Sequence, residues 1–562
     1  MICYIKTWFG YFFYLVSMLQ LCNMEIQENI KLSEPKVIDV YNKRQGYWYV
    51  YKDRSYWDSE KKQTRHTREI VGKRVAKDGP VIYNNRYRSD HVVEKLARLE
   101  VSSTSMMGET LILDDVVREL GLKKHLKNAF GKEGAETIIG MAEYLICTKR
   151  ALSWCGDWAE GRNPTIEHMT SQGVSDFLSS LNNDKRNTFF GTWMQANRCE
   201  TGYFCFDSTN ISAMNTETNP LVEYGYTHGH ISFPQTNLAI LARQDTMMPL
   251  LSLIYNGSRH DCTTVQNLID ALKKLNLKSI CITLDKGYYS EDNLQLFSSE
   301  GYDFIICMPR RVSWQYEVID SLRDRLYTLE ARTEVLDSDG NVQVIQCLAK
   351  PVIRNGRRYY LHVVYNSAAR AEAEKNFIEL LARCKEELEK DELVDTHQDL
   401  YKQFFEVRDT PKRGRKVMER GASIAEFQKK YSGYWCLLTN RKRAKEEIYA
   451  AYQQRNTVEI FYNIFKNDLN GDCVTDHKLA SYEGKMFVTF ISLAILSRLK
   501  SKLAEHRKGN KILGRLKTYS QLLFRMSTLS KVSFKGKYKP IFSTPSKLQR
   551  EIIDKFELNW PV

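Results

Sequence analysis

The chain has 562 residues, 43% of them hydrophobic and 27% charged, with a formal net charge of +14 at pH 7. That length suits several domains, and that composition excludes a disordered or low-complexity protein. The positive balance favours a polyanionic partner, either nucleic acid or an anionic membrane surface.

Residues 8–22 are apolar and aromatic behind a single charge, Lys6. The run is short for a membrane span, and Leu19-Gln20-Leu21-Cys22 lacks the small residues of a cleavage site. Met24 follows directly, so 1–23 is expected to be an untranslated leader, with an interfacial anchor as the alternative. No stable membrane association is expected. Residues 24–90 predict a small basic β-unit with strands at 47–51 and 65–73. Its aromatics among Arg and Lys suit either a DNA surface or the unit's own core. Residues 91–200 predict a helical domain, a candidate for DNA binding, with helices over 111–120, 122–130, 136–152 and 174–181. Gly121 closes the first, and Ser171 or Ser175 caps the last. No recognition face stands out, so a plain bundle fits better than a helix-turn-helix.

At residue 201 the pattern changes to alternating strands and helices. Strands are expected at 203–206, 237–243, 249–256, 279–284 and 303–308, the second and third forming a hairpin around Gln244-Asp245. Helices are expected over 263–275 and 290–299. This order predicts an α/β fold with a ribonuclease-H-like core, formed by 201–310 and 438–500. Residues 311–437 interrupt it as a separate β-rich insertion, with strands at 341–349, 358–365 and 434–438 and a charged helix over 368–390 capped by Ser367. An amphipathic helix follows over 484–499, then a basic C-terminal region, 501–562. From Arg498 to Lys539 there are thirteen Lys or Arg and one acid, Glu505. Such a run suits phosphate contacts; the short runs at 412–416 and 441–443 suit solvated surface. The thirteen cysteines include no Cys-x-x-Cys. Cys205, Cys281, Cys307 and Cys436 lie in apolar runs as buried hydrophobes, which argues for a reducing cytoplasm and against a disulfide framework or zinc cluster.

Two acids, Asp207 and Asp285, stand at the ends of expected strands, where side chains point into the crevice above a sheet. Oxygen donors of this kind suit hard divalent cations, although a lone Asp after a strand is more often a turn residue. A third acid, Glu459, lies on an expected helix with Tyr452, Arg455 and Lys466 at −7, −4 and +7. At 3.6 residues per turn these share one face with Tyr462 nearby, while Val458, Phe461, Ile464 and Phe465 form the opposite, core-facing side. An ion-pair network and a metal carboxylate between phosphate clamps both fit that face.

The spacing Tyr452-x2-Arg455-x3-Glu459-x6-Lys466 resembles the Tyr-Arg-Glu-Lys signature of bacterial insertion-sequence DDE transposases that carry a β-rich insertion. The resemblance extends to Phe206-Asp207-Ser208-Thr209, Tyr224-Gly225-Tyr226, Pro234-Gln235, Asn256-Gly257-Ser258 before Asp261, Asp285-Lys286-Gly287-Tyr288-Tyr289-Ser290 and the segment from Gly433 to Asn440, covering about residues 45–500. Lys286, Asn463 and the stretch Thr227-His228-Gly229-His230 depart from the family's commoner basic residues; His228 and His230 suit a metal or a merely polar loop. The resemblance implies a transposase that cuts transposon ends and transfers the 3′-OH strand into target DNA. It implies two Mg²⁺ ions, with Mn²⁺ as the alternative, held by Asp207, Asp285 and Glu459. It further implies phosphate contacts from Arg455 and Lys466, positioning by Tyr452, a stacking aromatic at Trp435 or Trp314, and a homodimer on double-stranded DNA in a bacterial, nucleoid-associated setting. Rival readings are a related metal-dependent nuclease without strand transfer and an inactive DNA-binding derivative.

Overall fold

The computed structural model describes residues 37–561, except 78, 88–99, 198–201, 214–218, 226–233, 279, 337–341, 395–396, 411–413, 475–477 and 537. The leader, Met24, Tyr226, His228 and His230 lie outside the described residues. The chain divides into two compact units, one from Met1–Gly108 with Arg525–Val562 and one from Glu109–Phe524.

In the first unit, strands Val37–Asn42, Tyr47–Asp58, Gln63–Arg74 and Ile82–Tyr83 pair antiparallel in that order. Their β-branched and aromatic residues suit a pleated surface, and Val50, Val71 and Tyr87 form its small core. A second sheet joins Val101–Met106 to Ser530–Phe534, which pairs in turn with Ile541–Phe542. Two expected boundaries change here. Residues 101–106 are strand rather than part of the helical domain, and the chain from Arg525 belongs with the N-terminal unit rather than to a region of its own. Val101-Ser-Ser-Thr-Ser-Met106 has no apolar alternation, and its pairing partner lies at the far end of the chain.

The second unit opens with helices. Among them are α1 (Leu122–Thr148), α2 (Ser171–Ser180) and α3 (Asn183–Ala196). Gly131, at φ 76 and ψ 179, breaks α1 into two segments, because only glycine adopts that backbone readily. The cap of α2 is Thr170, whose hydroxyl accepts from the Gly173 N–H at 3.1 Å, one residue before the expected Ser171.

Strands β1 (Tyr203–Ala213), β2 (Pro234–Arg243) and β3 (Met248–Asn256) form an antiparallel meander. Helix α4 (Val265–Lys274), strand β4 (Cys281–Leu284), helix α5 (Glu291–Ser299) and strand β5 (Asp303–Cys307) follow. The strand order β3-β2-β1-β4-β5, with β4 parallel to both β1 and β5, is the ribonuclease-H-like core.

The interrupting segment differs from a separate β-rich body. Strands β6 (Arg332–Leu336), β7 (Val342–Arg354) and β8 (Arg357–Tyr365) continue the central sheet. The β7–β8 hairpin turns on Asn355-Gly356, at φ 47 and 72, the geometry a two-residue hairpin loop needs. Helices α6 (Arg370–Lys390), α7 (Gln398–Phe404) and α8 (Gly421–Tyr431), with a ribbon of Phe405–Thr410 and Gly414–Glu419, form a mainly helical body on their own apolar cluster. Ala369, not Ser367, occupies the cap position of α6. Strand β9 (Tyr434–Thr439) then enters between β5 and β8, antiparallel to both. Apolar alternation shows that these segments are strands, but not which strands they join.

Helices α9 (Lys445–Gln453), α10 (Thr457–Asn463) and α11 (Leu479–Arg507) complete the unit's core. The expected amphipathic helix is instead buried on every side from Met486 to Ser497. By length and composition α11 could cross a membrane, yet 78% of its apolar window is buried inside the unit. The basic run is also partly neutralised within the fold. Arg498 pairs with Glu119 and Glu505, Lys500 with Asp468, and Lys502 with Asp115 and Glu119.

Candidate active site

The site begins at the centre of the sheet. Strands β1 and β4 are parallel, with Thr283 beside Cys205. Two residues further along each strand line stand Asp285 and Asp207, on the same face and one strand spacing apart. Asp207 lies inside β1 rather than at its end, opposite Ile240 of β2. The polar Ser208-Thr209-Asn210 hides this continuation from an apolar pattern. Asp285 directly follows β4, as expected.

Glu459 arrives from the other side of the sequence, on a run that changes its hydrogen-bonding period. Helix α9 passes into a 3-10 turn at Gln454–Asn456, then α10, then a π-helical turn at Ile464–Asp468. The expected face through Tyr452, Arg455, Glu459 and Lys466 is therefore not that of one straight α-helix. The opposite face is as expected, with Val458, Phe461, Ile464 and Phe465 all buried. Tyr462 anchors the run by donating to the Asp207 backbone carbonyl at 2.5 Å.

Arg455 joins the pieces. Its Nη1 lies 3.2 Å from Asp207 Oδ2 and its Nη2 3.4 Å from Glu459 Oε1. Tyr452 donates from its hydroxyl to Asp285 Oδ1 at 3.3 Å, and the Arg455 guanidinium lies over the Tyr452 ring. Burial works against the Arg455 cation, but Tyr452, Asp285, Asp207 and Glu459 together outweigh it and raise its pKa. Burial pushes the Asp207 carboxyl up to about 7; Ser208 N–H and Arg455 oppose that, while Asp285 and Asp261 add to it. Glu459 is the exposed member, its side chain 63% accessible against 20% for Asp207.

The three carboxylates do not close on one point. Among the described residues, their oxygens are not gathered within 4.8 Å of one another, in contrast to the convergence expected for metal ligands. Asp285 and Asp261 repel a charge on Asp207, and the Arg455 guanidinium beside it relieves that repulsion. The donor set still fits a hard cation: every ligand atom is a carboxylate oxygen, and the site already holds positive charge at its centre.

Other expected site residues diverge. Lys466 is half-buried on the π-helical turn; burial lowers its pKa, and the acid acting on it is Asp472. Trp435 lies in β9 with its ring packed against Tyr449 and Tyr452, at 5.7 and 5.6 Å between centroids. It is partly buried and buttresses Tyr452. The Trp314 ring is covered by the Arg354 guanidinium at 5.1 Å.

A fourth acid was not among the expected ligands. Asp261 opens a helical turn after β3, and its carboxylate accepts from the Ser208 hydroxyl. A side chain at Gly287 would meet Asp261 Oδ2 at 3.1 Å. Asp261 therefore touches the residue after Asp207 and the loop after Asp285. The only sequence signal was its place behind Asn256-Gly257-Ser258, where an Asp is usually a helix cap.

A protein-family model described as the transposase DDE domain matches residues 199–495, more than half of the chain. No curated protein matches. Among solved structures, a cryo-EM structure of a piggyBac transposase synaptic complex with hairpin DNA aligns with 75% of this chain and 76% of its own, at 9% identity and a TM-score of 0.33.

Proposed function

Because the chain belongs to the transposase DDE-domain family, we propose that it cuts double-stranded DNA at the ends of a mobile element and joins the freed 3′-OH to target DNA. The observation that carries the reading is the meeting of three acids from three separated segments, Asp207, Asp285 and Glu459, around one guanidinium. The bacterial insertion-sequence lineage and a cytoplasmic, nucleoid-associated setting are part of the same proposal.

Asp207, Asp285 and Glu459 would hold two Mg²⁺ ions, with Mn²⁺ able to replace them. Bound there, such ions supply Lewis-acid stabilisation of the attacking and leaving oxygens of an in-line displacement at phosphorus. The chain's own residues do the rest. Arg455 exchanges its carboxylate partners for a phosphate oxygen, a planar two-point contact that guanidinium makes well. Tyr452, held by Trp435 and near Asp285, positions the phosphate flanking the cut. Lys466 adds a point charge further along the backbone. Tyr462 fixes the helix run against β1, so that Glu459 approaches from a set direction. Two DNA ends must be paired before joining, which calls for a homodimer on DNA.

The test is a two-stage assay with DNA flanking the reading frame. Mg²⁺-dependent nicking at an inverted repeat, followed by joining of a precut 3′-OH end to a plasmid, is expected. Nicking without joining would leave a nuclease. Neither activity in any divalent metal, with DNA binding retained, would leave a DNA-binding derivative.

A further inference from the structure

The helical body of the interrupting segment holds a second cluster of ligand-type side chains. The Cys384 Sγ, a Glu387 carboxylate oxygen and a His397 ring nitrogen all lie within 4.8 Å of one another. We propose that these three residues form a zinc site that ties α6 to α7, with solvent water completing the coordination.

Local geometry supplies the donors. Cys384 and Glu387 stand three apart on α6, so they share a face. His397 occupies the cap position of α7, and Tyr401 follows one turn later. Glu387 Oε2 lies 2.9 Å from His397 Nδ1 and accepts from the Tyr401 hydroxyl, which in turn accepts from the Val394 N–H at 3.1 Å. Tyr401 thus orients the carboxylate from outside the ligand set, as outer partners of metal ligands do.

The environment is closed on one side and open on the other. Cys384 is fully buried among Phe377, Leu381, Leu388 and Phe404. The Glu387 and His397 side chains are 17% and 23% exposed, which leaves a mouth for water. A thiol, an imidazole and one carboxylate make the mixed donor set that zinc takes and that Mg²⁺ does not.

The hydrogen bonds alone account for Glu387, His397 and Tyr401. They do not account for a buried thiol brought to the same point. Zinc would take the thiolate, and the thiol proton would leave to solvent. One thiolate and one carboxylate then balance the 2+ charge, so the loaded site adds no net charge to an apolar body.

The test uses the full-length protein. Purified from zinc-supplemented culture and dialysed without chelator, it should retain about one zinc per chain by elemental analysis and melt at a higher temperature than after chelation. Replacement by Co²⁺ should give a thiolate-to-cobalt charge-transfer band in the near ultraviolet. The acids around Arg455 contain no sulfur, and the thiol beside Tyr452 and Asp285, Cys307, is separated by the Cys384 variant. Cys384→Ser should abolish the band, and Glu387→Gln, which keeps the side-chain size, should weaken zinc retention at least about tenfold. Wild-type protein with neither zinc nor the band would overturn the proposal even if every variant failed to fold. A band that persisted in Cys384→Ser would overturn it equally.

Discussion

Two stretches of the central sheet are built to different rules. In its middle, β1, β4 and β5 run parallel, and acids cluster where β1 and β4 lie side by side. Toward its β6 edge, β6, β7, β8 and β9 run antiparallel, and their one histidine, His362, is 1% exposed. Both stretches contain a titratable group moved far from its ordinary pKa by burial. Asp207 is pushed up to about 7 and His362 down to about 4. The difference is what surrounds them: Asp207 is ringed by Arg455, Ser208, Asp285 and Asp261, whereas both ring nitrogens of His362 lack a hydrogen-bond partner. Strain accompanied by organised partners marks a working region; strain without them marks a group held in place by packing.

The sharpest attempt to break this contrast removes the acids. Asp207→Asn, Asp285→Asn or Glu459→Gln should each reduce Mg²⁺-dependent cutting at least about a thousandfold while DNA binding persists. Gel-shift and nicking assays on one preparation separate the two effects. Near-normal cutting by any of the three would remove that acid from the site. Asp207→Asn carries a second expectation, on stability. The folded chain holds a proton on Asp207 up to about 7, against an ordinary 3.8, so between those values it binds more protons than the unfolded chain. Stability from this group is therefore lost as pH rises through that window. In metal-free protein at pH 8, Asp207→Asn should be the more thermostable, by roughly 1–3 kcal/mol. A variant less stable than the parent at pH 8 would mean that the Arg455 pairing outweighs burial.

Asp261 tests whether the working region extends beyond its three expected acids. Asp261→Ala should cost about 10–100-fold in cutting, the scale for a group that orients ligands from outside. Asp261→Asn can still accept from the Ser208 hydroxyl and should recover most of that loss. Equal loss in both variants would instead point to a need for its charge. Tyr452→Phe comes next: losing one 3.3 Å hydrogen bond to Asp285 while the ring stays packed on Trp435 should cost a few-fold, on the order of 1 kcal/mol.

How much of this was legible follows from the reach of each signal. The order of core strands and helices could be read because it rests on short apolar runs with local periods. Asp285 was placed correctly because β4 ends in an abrupt change from Leu284 to polar residues. Asp207 was misplaced at a strand end because the polar Ser208, Thr209 and Asn210 that continue β1 interrupt its apolar run. The bend through Gln454–Asn456 and Ile464–Asp468 was invisible, since 3-10 and π turns keep helical composition while changing the angle between residues. Continuity between the core sheet and β6–β8 was out of reach as well. Strand neighbours are set by tertiary pairing; the Asn355-Gly356 turn is a local mark of the β7–β8 hairpin, yet no pairing was expected from it. Cys384, Glu387 and His397 carry no familiar ligand spacing, because the two helices that bring them together meet only in the folded body.

The smallest expected effect on cutting, and the one that most sharpens the contrast, lies on the antiparallel side of the sheet. His362 stands on β8 opposite Leu437 of β9 and Ala349 of β7. The folded chain keeps it neutral down to about pH 4, whereas its ordinary pKa is 6.5. Between those values the unfolded chain binds the extra proton, so stability is lost as pH falls, amounting to about 2 kcal/mol by pH 5. His362→Leu replaces an unpaired ring with an apolar side chain. It should leave cutting at pH 8 within about twofold while flattening the fall in melting temperature between pH 6.5 and 4. A large loss of activity at pH 8 with unchanged stability would show that β8 reaches the chemistry, and the two stretches of the sheet would then differ in residues but not in role.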